Sequence, residues 1–321
     1  MIIALVIFLI TYILLLAFSK YRAFIALGAA LLFIAMTYLP VNEWFGGAHI
    51  DYLPIEDLFK TIDWNVILMI FGTMGVVSLF IETKMPALLA DKIIEKSPNI
   101  TIAILALSVL SGVISAFVDN VATVLMVAPI ALTISKKIHA NPVPSLIAIS
   151  IASNLQGAAT LVGDTTSILL GGQADMNFFD FFFYQGKPGL FFIVQIGFIA
   201  ATFVLYLLLG KQKDKPTIEQ AVEVKDYVPT YLMIGTVVLL IIASFFPKDG
   251  INAWSNAVLG FDFPINGVIC LSLMMFGVLR KAFRNNNENA LKETVKDIDF
   301  FTLLLLASLF VVFVVSNSII P

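Results

Sequence analysis

The sequence predicts an all-α polytopic membrane protein with an inverted internal repeat, a re-entrant hairpin and a discontinuous helix. Three observations carry this. The 321 residues are 60% hydrophobic and 13% charged, with a mean hydropathy of +0.97. A soluble domain of that length could not cover so much apolar surface, so lipid must be its solvent. The basic residues gather in alternate loops, and two apolar stretches are interrupted by carboxylates, at Asp119-Asn120 and Gly163-Asp164.

Apolar runs close to the ~20 residues that cross a bilayer lie at 1–18, 22–39, 64–82, 190–209, 230–247, 263–279 and 300–317. The first opens with no basic residue before it and no small-residue cleavage site after it, so it reads as a retained helix rather than a signal peptide. Segments 19–22, 83–99, 136–142, 210–228 and 280–299 hold all 19 Lys and Arg except Lys60, Lys187 and Lys248. That asymmetry makes their side cytoplasmic in a cell (inner) membrane and places the N-terminus outside. The loop 40–62, with Glu43, Asp51, Glu56 and Asp57, is then outside as well. The parity holds only if 100–137 enters and leaves on the cytoplasmic side, as a hairpin does. The run Phe178 to Tyr184 reads as an interfacial aromatic girdle.

Other chemistries find little support. Cys270 is the single cysteine and lies in an apolar stretch, where it packs rather than bridges or binds metal. His139 follows Lys136 and Lys137 in a loop and His49 lies in another, so no His cluster, reactive thiol or Ser-His pair marks an enzyme. No basic face suggests nucleic acid, and no resident cofactor is implied.

Residues 60–67 (KTIDWNVI) resemble 296–303 (KDIDFFTL): Lys60, Ile62 and Asp63 answer Lys296, Ile298 and Asp299, and Trp64 answers Phe300. Each copy then runs on to a proline, Pro86 or Pro321. Spans 1–18, 22–39 and 64–82 correspond to 230–247, 263–279 and 300–317 with opposite direction of entry, which is an inverted-topology repeat. The domains are then a first repeat at 1–210, a cytoplasmic linker at 211–228, and the start of a second repeat at 229–321. The second repeat reads as incomplete by roughly 125 residues if the halves are equal.

The two breaks carry the chemistry. An Asp inside an apolar run costs about 2.5–3.5 kcal/mol on insertion scales unless it meets protein, water or an ion. Asp119-Asn120 sits between apolar arms 100–117 and 121–137, as at a hairpin tip, where side-chain and backbone oxygens are hard ligands suited to Na⁺. The second break predicts helices at 144–156 and 166–172 joined by an unwound loop. Gly157, Gly163 and Asp164-Thr165-Thr166-Ser167 disfavour a continuous span there. Unwound backbone at membrane depth must line a cavity or lie buried. Asn154, Thr160 and Asp164 offer oxygens to a cation, while the second piece's N-terminus offers N–H groups to an anion.

The stretches ISAFVDNVATVLMVAPIAL and ASNLQGAATLVGDTTSILLGG resemble the ion transporter superfamily, in the branch of arsenite permeases, NhaD-type sodium/proton antiporters and the melanocyte P protein, with citrate-transporter-like relatives. The resemblance covers mainly 57–210. It implies hairpins and broken helices meeting at a central site, elevator-type access and a homodimer. It maps the tip onto Asp119-Asn120 and the loop onto Asn154, Gly157, Thr160 and Gly163-Asp164, with Thr165 alongside. Many relatives follow that loop with Pro-Pro-Asn, where this chain has Thr165-Thr166-Ser167.

The expected function is ion-coupled secondary transport in the lipid bilayer, foremost sodium/proton antiport. Asp119 and Asp164 would be the exchangeable carboxylates and Na⁺ ligands with Asn120. If the two carboxylates approach, repulsion raises one toward neutrality. The alternatives are an arsenite or carboxylate anion permease, and a truncated chain without independent transport.

Overall fold

The computed structural model describes residues 2–38, 62–137, 141–209, 223–224, 226–246, 255, 263–285 and 289–319. The loop 40–61 with its acidic residues, His49, Lys60, His139, Lys248, Pro321 and most of the 211–228 linker lie outside the described residues. The main helices are α1 (Ile2–Ala17), α2 (Arg22–Tyr38), α3 (Trp64–Glu82), α4 (Met85–Lys96), α5 (Ile100–Ser115), α6 (Asn120–Lys137) and α7 (Val143–Gly157). They continue as α8 (Thr165–Gln173), α9 (Leu190–Leu208), α10 (Val228–Ala243), α11 (Ile265–Asn285), α12 (Ala290–Lys296) and α13 (Phe300–Ile319). The protein is an all-α polytopic membrane protein, and each of the seven expected spans is a helix, although α10 ends at Ala243, four residues short of expectation, and α11 runs on to Asn285, six residues past it.

The chain forms two compact units. The first comprises 1–67, 247–264 and 299–321. In it α2 packs on α13 through Ala29, Ala30 and Phe33 against Val311 and Val312, with Ile7, Ile34 and Ile62 at the edge. Phe24 meets Phe301 edge-on at 5.7 Å. Asp63 and Asp299, the aspartates matched in the expected repeat, both work as helix caps. Asp63 Oδ1 accepts the Val66 N–H (3.1 Å), and Asp299 Oδ1 accepts those of Phe301 (3.0 Å) and Thr302 (3.2 Å).

The second unit, 68–246 and 265–298, holds both breaks. The two arms of the hairpin are α5 and α6, joined by the short turn 116–119. Asn99 caps α5 by accepting the Ile102 N–H at 2.9 Å. The arms close on a core of Leu107, Val127, Ala131 and Ile149, so α7 completes the layer. Segment 83–99, read as a plain loop, contains the amphipathic helix α4. It buries Ala90 and Ile94 in that same core, with Pro86 also buried at its start. Its short length and mixed charge hid it from a search for spans.

Helices α3 and α11 approach so closely that a Cβ on Gly72 would lie 2.5 Å from the Cys270 carbonyl carbon, the small-residue contact common between membrane helices. Cys270 is buried, as its apolar setting suggested. Among the described residues α3, α9 and α11 are each long and apolar enough to span a bilayer unaided. The outer face of α9, with Ile193, Ile196, Phe203 and Leu207, is exposed, as a lipid-facing helix requires.

The aromatic run is more than a girdle. Phe178 and Phe181 are fully buried, while Phe179 and Phe183 stay exposed. After a single 3₁₀ turn the chain makes a small antiparallel pair, β1 (Phe183–Tyr184) and β2 (Lys187–Pro188). Gln185 and Gly186 both take positive φ in its two-residue turn, the geometry a tight hairpin needs.

Candidate ion-binding site

The two breaks meet. From α5, Ser115 Oγ donates to the Ser153 carbonyl on α7 at 2.9 Å. Ser153 Oγ lies 3.0 Å from both Ser115 Oγ and the Asn120 carbonyl, so its single proton serves one of them at a time. Asn120 Nδ2 donates to Asn154 Oδ1 at 2.8 Å, and Asn154 Nδ2 donates to the Ser150 carbonyl at 2.8 Å. The fully buried Thr160 hydroxyl donates to the Ala116 carbonyl. Ser115, Ser153 and Thr160 are each 0% exposed. In an interior without water, such hydroxyls must be bonded, and these bonds tie the hairpin turn to the broken helix.

Glycine lets the crossing close. A Cβ on Gly163 would stand 2.5 Å from the Gly157 carbonyl oxygen, 2.7 Å from that of Ser115 and 2.8 Å from that of Ala116. Three backbone carbonyls thus crowd one Cα, and no side chain fits. Gly157 is less constrained: a Cβ there would make ordinary contacts of 3.5 Å with the Asp164 Cβ and 3.6 Å with Ser115 Oγ.

Each carboxylate caps the helix it precedes. Asp119 Oδ2 accepts the Ala122 N–H at 3.1 Å, and its carbonyl accepts the Thr123 N–H at 3.0 Å. Asp164 Oδ1 takes the Thr166 N–H (3.4 Å) and the Thr165 hydroxyl (3.2 Å), while Oδ2 takes the Thr166 hydroxyl (3.1 Å). Both carboxylates are half-buried. Thr165 and Thr166 therefore serve Asp164 itself, rather than the hairpin. Asn154 is exposed and opens on a groove lined by Leu146, Ile147, Ser150, Ile151 and Leu155. The residues around the crossing carry carboxylate, amide, hydroxyl and carbonyl oxygens, all of them hard donors.

Five residues escaped the sequence reading: Ser115, Ser153, Thr123, Gln156 and Gln195. Thr123 Oγ1 is buried with no hydrogen-bond partner among the described residues. Other helical threonines, such as Thr73 and Thr202, bond the carbonyl four residues back. Gln156 forms a reciprocal amide pair with Gln195 of α9, each Nε2 donating to the other's Oε1 at 2.9 Å. The available signal was a polar residue one helical turn from a break, or, for Gln195, an amide alone in an apolar span.

Known proteins place this architecture. The chain is 32% identical to an uncharacterised transporter of Mycobacterium tuberculosis over 213 residues, 62% of this chain and 49% of that relative. It is 38% identical to a 46 kDa membrane protein of Mycobacterium leprae over 144 residues, 42% of this chain and 34% of the relative. It is 31% identical to the human P protein over 155 residues, 48% of this chain and 17% of that protein. The matched stretch thus spans less than half the length of these relatives. The model of the citrate transporter family matches residues 4–319, nearly the whole sequence, and on that match the chain belongs to the citrate transporter family.

Proposed function

We propose that the chain acts in ion-coupled secondary transport across the cell membrane, as a sodium/proton antiporter. The observation that carries this is the junction of the hairpin turn with the broken helix, where Asn120 and Asn154 bond and two half-buried carboxylates, Asp119 and Asp164, each cap the start of a helix at a break. A carboxylate within an apolar segment is costly unless it meets a counter-cation, and a site that trades Na⁺ for H⁺ performs antiport. Asn120, Asn154 and Thr160 complete the neutral oxygens, and Thr123 adds an uncommitted hydroxyl.

The matched caps Asp63 and Asp299 support the inverted repeat, because equivalent positions begin equivalent helices. The orientation proposed has the N-terminus outside, and the assembly proposed is a homodimer.

Family membership favours one second reading, uptake of a carboxylate anion such as citrate. Against it, the start of α8, where an anion would gain from free N–H groups, already holds the Asp164 carboxylate.

The test is sodium-driven proton flux in proteoliposomes of the full-length protein, with citrate uptake measured in parallel. Wild type is expected to exchange Na⁺ for H⁺, and Asp119→Asn/Asp164→Asn to lose at least about tenfold in rate. Intact flux in the double variant would sink the mechanism. Uptake of citrate without cation exchange would move the assignment to the second reading.

A further inference from the structure

The amide pair Gln156–Gln195 lies beside the crossing and does more than fill space. Gln195 is the only carboxamide in α9, a span whose outer face is exposed isoleucine, phenylalanine and leucine. An unpaired amide in hydrocarbon is costly, and here the two side chains close a ring of two N–H···O bonds at 2.9 Å. Gln156 is 5% exposed. Its Cγ lies against Gly112 of α5, where a Cβ would come within 3.0 Å of it and of the Phe198 ring, so the pair needs a glycine there.

The same residue's backbone begins the break. Gln156 is the last residue but one of α7, and its carbonyl accepts the Ala159 N–H at 2.9 Å. One residue on, Thr160 bonds the hairpin carbonyl of Ala116, and Gly163 closes over Ser115 and Ala116. A continuous bonded path therefore runs from a lipid-facing span through one amide pair into the loop that holds Asp164.

We propose that Gln195, acting through Gln156, is a positioning residue that sets the placement of loop 157–164 and thereby the cation affinity of the site. This rests on the cation-exchange reading above, and it assigns α9 a part in the site that its lipid-facing sequence does not suggest. Neither glutamine touches the cation. Their effect is on the geometry of the oxygens that do, so the cost of losing the pair falls on half-saturation rather than on maximal rate.

The experiment uses the full-length protein in proteoliposomes, with sodium as the probe and proton flux as the readout. Gln195→Leu is expected to raise half-saturating sodium about tenfold while maximal flux stays within about twofold of wild type. Gln195→Glu keeps the reciprocal pair only while the introduced carboxyl is protonated. Its half-saturation should be near wild type at acid pH and rise at alkaline pH, a pH profile that a space-filling role would not produce.

A second readout is independent of transport. In a Cys270→Ser background, Ala158→Cys reports the loop through its rate of thiol labelling, and Gln195→Leu should speed that labelling at least about fivefold. Unchanged labelling with unchanged half-saturation overturns the proposal. Faster labelling in a protein whose wild type moves no sodium keeps the positioning role and overturns the cation reading. Loss of folding by Gln195→Leu is checked by size-exclusion behaviour, and Gln195→Glu across pH then decides.

Discussion

The second unit contains two polar clusters built from opposite materials. At the crossing of the breaks, Ser115, Ser153, Thr160 and Gln156 are buried and bond to neutral partners, including the backbone itself. Around the ends of α3, α10 and α11 the contacts are ionic. Arg280 grips Asp226 with both terminal nitrogens, Arg284 adds a contact at 3.0 Å, and Lys281 reaches Glu82 at 2.7 Å and Glu293 at 2.9 Å. All of this second cluster but Glu293 lines a cavity of about 490 Å³ that also includes Lys84 and Glu223. The cluster's side chains range from 12% exposed at Lys281 to 56% at Glu82.

The contrast follows from water. Where water reaches, full charges remain solvated and pairs contribute little; where it does not, geometry among neutral groups carries the energy. The crossing should therefore be intolerant of small steric changes, and the ionic cluster tolerant of losing a partner.

The largest expected effect is at Gly163. Gly163→Ala drives a methyl into three carbonyl oxygens and should cost about 3 kcal/mol or more with loss of transport, read by thermal unfolding and flux. Gly157→Ala, whose Cβ meets only ordinary contacts, should lose less than about 1 kcal/mol. Equal effects would break the steric argument. Next comes Ser153→Ala, which removes the hydroxyl shared by Ser115 and the Asn120 carbonyl. It should cost about 1–3 kcal/mol, the usual range for stranding a buried partner.

The smallest effect is expected in the ionic cluster. Arg280→Ala leaves Arg284 on Asp226 and should cost at most about 1 kcal/mol, less in high salt. Its pH behaviour sharpens the contrast. Burial pushes the Asp226 carboxyl up, but the Arg280 hydrogen bond, the Val228 N–H and the charges of Arg280 and Arg284 outweigh this and hold it below its ordinary 3.8. A carboxyl depressed in the folded state stabilises the fold above its unfolded value and loses that contribution as pH falls through the folded one. The stability gap between wild type and Asp226→Asn should thus be flat from about pH 5 to about pH 8 and shrink only below about pH 4. A gap that changed near neutrality would show that another group controls the cluster.

Much of this was legible in the residues because membrane insertion filters sequence harshly. The seven spans, the hairpin arms ending near Asp119 and the two pieces of the broken helix all appear close to expectation, with the largest departure the six-residue extension of α11. Asp and Gly inside apolar runs leave few structural options, so Asp119, Asn120, Gly163 and Asp164 could be singled out in advance. Helix α4 and the Phe183–Pro188 hairpin were missed. The first is amphipathic rather than apolar, and the second rests on a two-residue turn inside what looked like an aromatic belt.

What the sequence by itself determined is the solvent and the punctuation: lipid around apolar helices, and breaks wherever Asp, Asn and Gly interrupt them. What only the tertiary structure decided is who meets whom. Ser115 and Ser153 are 38 residues apart, Thr160 and Ala116 are 44 apart, and Gln156 and Gln195 are 39 apart. Nothing local selects those partners. They are fixed by how closely α5, α7 and α9 can pack once Gly112 and Gly163 remove the side chains between them, which is a property of three helices together and of none alone.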